Sequence, residues 1–454
     1  MTAPTLAPGA TRAVGARTGR WIEHWDPEDA EFWESTGRQV ARRNLALSIL
    51  VEHLGFSVWL IWSIVAVNLN NAGFAFTDSQ LFWLVSVPSL VGATMRIPYT
   101  FAPAVFGGRN WTVVSALLLI IPAVGLAWAV SEPSTSFPTM LLIAATAGFG
   151  GGNFASSMAN ISFFYPEREK GWALGLNAAG GNIGVAVVQA PIVVSAIVVA
   201  GGGLHLDRAG LMWIPLAVLA AVLAWRFMDN LASARADVAS SGSAVRRPHT
   251  WVMSFLYIGT FGSFIGYSAA FPLLIKTQFP DVSVAHFAFL GALVGSLVRP
   301  LGGRLSDRVG GARITAASFV AMGVGVLAAV KALQQDSFPA FLACFLLLFV
   351  ATGIGNGATY RMIPAIFRIS ADDAGGTPEA VARARAEAAA AIGIISAIGA
   401  YGGFFVPRTY AWSTAEYGSI APALYVYVGV YVVMLAVTWA FYLRPDARMA
   451  KARV

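Results

Sequence analysis

The chain has 454 residues, 57% hydrophobic and 12% charged, with a formal net charge of +7. An average soluble domain carries about 25% charged residues, so this composition leaves too little polar surface to coat a water-soluble globule. One cysteine, Cys344, rules out a disulfide within the chain, and five scattered histidines build no Cys/His metal cluster.

In chain order, the first 44 residues are polar and Trp-containing, without the short apolar core and cleavage site of a signal peptide. Within them Asp26 reads as a helix cap, with Pro27 at the first position and Glu28 and Asp29 in the first turn. Twelve apolar spans follow, centred near residues 56, 90, 120, 152, 186, 219, 263, 297, 322, 352, 398 and 432. A helix of about 20 residues crosses about 30 Å of hydrocarbon. Lipid offers backbone groups no partner, so the spans must be helical. The polar–apolar alternation of a membrane barrel is absent. The expected fold is an all-α membrane protein. Its expected parts are an N-terminal segment 1–44, six helices over 45–230, a polar linker 231–250, six helices over 251–443 and a tail 444–454.

Charge sets the expected orientation. Of the 30 basic residues, 24 fall on the side of both termini, four on the other side and two, Arg96 and Arg299, inside spans. The positive-inside rule then places both termini in the cytoplasm of a multi-pass protein of the cell membrane. Topology accounts for the net charge without a nucleic-acid partner.

The halves echo one another. Gly148, Gly150 and Gly152 correspond to Gly353, Gly355 and Gly357, Gly181 and Gly184 to Gly399 and Gly402, and Arg96 to Arg299. Parallel six-helix repeats with a midplane site between them are the architecture of major facilitator transporters. The loop GGRLSDRVGGAR, residues 302–313, matches that superfamily's signature at Gly303, Asp307, Arg308 and Gly310, while its counterpart FGGRNW from Phe106 is degenerate.

An arginine at a helix centre costs about 2.5–3.5 kcal/mol to insert. Either arginine could snorkel to an interface or cap helix carbonyls. Two at repeat-related positions, with few carboxylates in the spans, favour a negatively charged substrate. Guanidinium forks around flat oxyanions such as nitrate, nitrite or bicarbonate. The exception among the spans is Glu52, beside His53. It reads either as a proton carrier or as the partner of a basic residue at an interface.

Small residues let helices approach closely and slide, or simply pack. On the fifth span Gly171, Gly175 and Asn182 share one face, and Asn177, Gly181 and Gly184 another; Gly399 and Gly403 lie on the eleventh. Tyr257, Phe261 and Phe264 form a stripe at helical spacing, which is either core or one wall of an anion site, with Phe154 opposite.

At these residues the chain resembles the NarK-type nitrate/nitrite porter family. The segments that carry the resemblance are GGNFASSMANISFFYP from Gly151, GWALGLNAAGGNIG from Gly171 and AAAIGIISAIGAYGGFF from Ala389. WDPEDAEFWESTGRQVARRNLALS from Trp25 and TFGSFIGYSAAFPLLIKTQFPDV from Thr260 extend it over nearly the whole chain. The resemblance implies a nitrate and nitrite carrier, with a part in nitrate assimilation, no cofactor or metal, and a functional monomer in the bilayer. It assigns anion coordination to Arg96 and Arg299, an aromatic sandwich to Phe154 and Phe261, a hydroxyl to Tyr257, a donor to Asn182 and, more weakly, Ser396. In the exchanger branch of that family the positions of Glu52 and His53 are apolar. The expected mode is nitrate/nitrite exchange. The alternative is proton-coupled nitrate import through Glu52 or His53, and the reading from a different class is a membrane sensor or enzyme.

Overall fold

A computed structural model describes residues 20–198, 203–234, 238–373, 375–445, 448–451 and 454. Parts of the expected N-terminal segment, linker and tail therefore lie outside the described residues. Eleven helices among them are long and apolar enough to cross a membrane. In chain order these are α1 (Ala30–Asn68), α2 (Asp78–Phe106), α3 (Gly108–Val130), α5 (Glu167–Val188), α6 (Asp207–Phe227), α7 (Pro248–Gln278), α8 (Val284–Val309), α9 (Gly311–Gln334), α10 (Phe338–Ile369), α11 (Glu379–Tyr417) and α12 (Ala421–Leu443). The remaining expected span is two helical pieces, Phe137–Thr146 and Gly148–Phe164, here together α4. Its second piece carries four glycines, two asparagines and three serines, and nearly all of it is buried. The break at Ala147 leaves pieces of 10 and 17 residues, each shorter than the roughly 20 residues of a single crossing.

Local chemistry fixes the ends. Thr77 and Gln80 form a reciprocal capping box at the start of α2. Thr377 caps the start of α11 by accepting from the Ala380 N–H at 3.2 Å. Gly107 and Gly310 turn the chain between α2 and α3 and between α8 and α9, at φ 88° and 102°. A side chain at such φ is strained, so both turns require glycine. The two turns stand the same distance apart in sequence as Arg96 and Arg299. Beside the second, the signature Asp307 accepts from Arg361 Nε of α10 at 2.6 Å. Beside the degenerate first turn, Asn230 Oδ1 accepts from the Arg109 and Asn110 N–H groups at 2.9 and 3.3 Å. An amide thus caps α3 where the signature would place charge.

The segment before the bundle is docked rather than loose. β1 (Trp21–Ile22) pairs in parallel with β2 (Asn230–Leu231) at the end of α6. Trp33 is fully buried and donates from Nε1 to Glu169 at 3.0 Å. The expected cap at Asp26 is corrected: Asp29 caps the helix, accepting from the Glu31 and Phe32 N–H groups at 2.9 and 3.1 Å. Asp26 closes a local turn onto the Glu28 N–H at 3.1 Å. Glu28 is drawn away from the helix because its carboxylate accepts from the Glu167 N–H, at the start of α5, at 2.8 Å. Cys344 is a free, half-buried thiol.

Helices from the two parts of the chain meet as α2 against α11, α5 against α8 and α1 against α7. These contacts bring Arg96 and Arg299 toward the middle of the bundle.

Candidate functional site

Arg96 is wholly inaccessible to solvent and Arg299 is 5% exposed. Glycines on α4 admit Arg96: a side chain on Gly151 would run into Trp59 and Gly92, so only glycine lets α4 lie this close to α2. The close approach brings the Gly151 carbonyl within 3.2 Å of Arg96 Nε. From α11 the Ser396 carbonyl accepts from a terminal Arg96 nitrogen at 2.9 Å. The guanidinium carbon stands 4.5 Å from the Phe154 ring, 5.0 Å from Phe261 and 5.4 Å from Trp59. Arg299 reaches the same place from α8, 6.0 Å from the Phe154 ring and 5.7 Å from Tyr360. Both cations therefore flank one aromatic ring.

Phe154 and Phe261 stack at 6.2 Å, and Tyr257 stacks on Phe261 at 5.3 Å. The stack rests on a widened turn in α7, where the Ser263 N–H reaches back five residues to the Ile258 carbonyl. Such turns change the facing of side chains and recur at functional sites. Gly399 makes room for the Tyr257 ring, and Gly402 lies against Gly262.

The two arginines form none of the ion pairs found among the described residues. One terminal nitrogen of each is buried without a hydrogen-bond partner. The Tyr257 and Tyr360 hydroxyls are likewise unpartnered, and the Tyr257 hydroxyl lies near Arg299 without a hydrogen bond of ordinary geometry. Buried donors left unpaired are expensive. Face-on aromatic contacts offset part of that, about 2 kcal/mol or more for a desolvated cation. Orphaned guanidinium N–H groups and phenols beside stacked rings are the kind of donors that a small planar oxyanion would accept from.

The remaining expected residues fall into place unevenly. Ser396 is buried, but its hydroxyl donates to its own helix at Gly393, 2.9 Å away; its carbonyl, not its hydroxyl, meets Arg96. Asn182 is buried with its side-chain oxygen unpartnered and hydrogen-bonds to neither arginine. Gly181 lies against Glu52, Gly184 against the His53 carbonyl, and Gly403 against Ile265 and Ser89. Gly171 and Gly175 face open space, so neither serves as a packing contact in this conformation. Glu52 is not at an interface with a basic partner. It is fully buried and accepts from Asn177 Nδ2 at 2.8 Å. His53 is half-buried, its Nδ1 3.1 Å from the Gly180 carbonyl. Sequence reasoning missed Trp59 and Tyr360. Tyr360 lies three residues beyond the repeat glycine Gly357 and beside Arg361, while Trp59 is indistinguishable by sequence from any other core aromatic.

A sequence model of the Major Facilitator Superfamily matches residues 45–407. The chain belongs to the major facilitator superfamily, and within it to the NarK-type nitrate/nitrite porters. It is 44% identical over 442 residues to the nitrate/nitrite transporter NarU of Escherichia coli (strain K12), covering 93% of this chain and 96% of that one. It is 35% identical to the probable nitrate/nitrite antiporter NarK2 of Thermus thermophilus, covering 94% and 98%. Among solved structures, the xylose transporter XylE from E. coli in a partially occluded inward-open conformation superposes with a TM-score of 0.65 at 16% identity, over 88% of this chain and 99% of that one. That likeness carries the superfamily's fold and nothing about cargo.

Proposed function

We propose that this superfamily member carries nitrate and nitrite across the cell membrane by alternating access, with Arg96 and Arg299 holding the anion and no chemical change to it. One observation carries the reading: two buried guanidinium groups share the Phe154 ring and each has an unpartnered nitrogen. The names of the NarU and NarK2 relatives support the same cargo. The helices of 45–230 and 251–443 act as the two moving bodies, with both termini cytoplasmic on the charge pattern.

Exchange follows from electrostatics. An empty site that closes while Glu52 is protonated must desolvate two cations without compensation, and a bound anion relieves that cost. The loaded carrier then crosses in either direction, nitrate inward and nitrite outward. A second reading, proton-coupled import, is favoured by the burial of Glu52 near both arginines.

The test is uptake of labelled nitrate by purified protein in proteoliposomes without a pH gradient. Vesicles preloaded with nitrite should accumulate label far faster than empty ones, and the label should be recovered as nitrate. Equal rates in loaded and empty vesicles would remove the exchange reading. Chemical conversion of the label would point to an enzyme.

A further inference from the structure

Behind the anion site, on the α1 side, lies a polar pocket that anion coordination leaves unused. Glu52 accepts from Asn177 Nδ2, which also donates to Ser157 at 2.6 Å, and Ser157 meets Ser48 at 2.9 Å. Thr112, Ser115, Asn153 and Ser156 line the same small cavity. Glu52 Oε1, Asn177 Oδ1 and both polar atoms of the Asn153 side chain are buried without partners.

The carboxylate forms none of the ion pairs found among the described residues. A side chain on Gly181 would strike Oε1, so α5 presses glycine against it where another residue would displace it. From α2 and α8 the charges of Arg96 and Arg299 act on Glu52, and from α10 the Tyr360 phenol does. From α3, α4 and α5 only hydroxyls and amides face it. His53 neighbours it on α1, with its Nδ1 at the Gly180 carbonyl. An ionised carboxylate so buried needs relief. Beyond the Asn177 hydrogen bond, a proton or the charges of the two arginines supply it.

We propose that the Glu52 pocket is a proton-binding site whose occupancy is linked to that of the anion site, an inference that rests on Arg96 and Arg299 binding the anion. Ionised Glu52 and the anion compete for the same two positive charges. When an anion arrives, the arginines are neutralised, the carboxylate loses their support, and one proton from water joins it. When the anion leaves, Glu52 ionises and stands in for it as counter-charge. The empty carrier can then close, so a proton gradient drives net anion entry alongside exchange. By linkage, protonation strengthens anion binding as much as anion binding strengthens protonation. Affinity is therefore highest at low pH and falls as pH rises through the titration of Glu52.

The experiment titrates the purified full-length protein with nitrate across a pH series, with proton uptake followed in weak buffer. The parent protein should take up protons on nitrate addition and lose about fivefold or more in affinity from the acid to the alkaline end. Glu52→Gln should take up none, bind with a flat pH profile, and at alkaline pH bind more tightly than the parent. A structural role for Glu52 would weaken binding at every pH and leave the slope. The linkage is overturned if the parent binds nitrate with flat affinity and no proton uptake, a readout that needs no variant to fold. It is also overturned if the slope survives in Glu52→Gln and disappears in His53→Gln. If the parent binds no nitrate at any pH, the cargo assignment itself fails, and the linkage with it.

Discussion

Arg299 shows what a single side chain must supply here. It approaches Phe154 and Tyr360 over their rings and keeps a buried terminal nitrogen free. A lysine would retain the charge but lose the planar fork that matches a flat oxyanion. Disturbing one partner of a buried, hydrogen-bonded charge pair costs about 2–5 kcal/mol. Arg299→Lys should therefore weaken nitrate binding about thirtyfold or more in calorimetric titration, at about 1.4 kcal/mol per decade. Affinity within twofold of the parent would show that charge alone suffices. The arginines were legible in the sequence because charge inside an apolar span is costly and therefore conspicuous. The Gly151 and Ser396 carbonyls that hold Arg96 were not, since a backbone group has no letter of its own. The interface reading of Glu52 fails because the first helix begins well before the apolar stretch does, at Ala30, which carries position 52 deep into the bundle.

At the scale of helices and turns, the signature loop separates what is rigid from what is decorative. Gly310 at φ 102° makes the corner between α8 and α9, and the Asp307–Arg361 pair sits beside it with both side chains about half exposed. A substituent on Gly310 forces a backbone conformation costing about 1–3 kcal/mol. An exposed ion pair contributes about 0–1 kcal/mol. In thermal denaturation in detergent, Gly310→Ala should lower the midpoint clearly and Asp307→Asn should barely move it. The reverse order would place the stability of this corner in the charges instead. The spans were readable because apolar length leaves few alternatives. The fourth carries its asparagines and serines where other helices, not lipid, enclose most of them. The widened turn at Ile258–Gly262 left no trace in the aromatic spacing of α7, since a stripe at Tyr257, Phe261 and Phe264 reads as an ordinary helix face. The first helix starts three residues later than expected, because Glu28, placed in its first turn by the sequence, is bound to α5 and Asp29 takes the cap instead.

Across the whole molecule, the contacts between the two sets of helices are unevenly distributed. Far from the termini, Arg408 of α11 stands 4.0 Å over Trp83 of α2 and donates to the Ser79 carbonyl at 3.3 Å. Gln189, just beyond α5, donates to the Ser268 carbonyl of α7 at 2.7 Å. At the opposite end, the first turns of α5 show the contrary arrangement: Gly171 and Gly175 have nothing within 4 Å of an added side chain, while Gly181 and Gly184 further along are tightly enclosed. The two sets of helices thus touch across the end away from the termini, while Gly171 and Gly175 at the other end stand exposed on α5. Alternating access requires the reverse state, in which the open faces close on one another. Glycine at 171 and 175 costs helix stability with no return in the present state, so its use belongs to the other one. Gly175→Leu puts a side chain into the space that closure must remove. Overpacking costs about 1–3 kcal/mol, here borne by the reverse state alone, which lowers its population roughly fivefold or more. The variant should keep nitrate binding in detergent, where the present state suffices, and lose exchange in proteoliposomes by a similar factor. Full exchange by Gly175→Leu would mean that the two sets of helices close elsewhere.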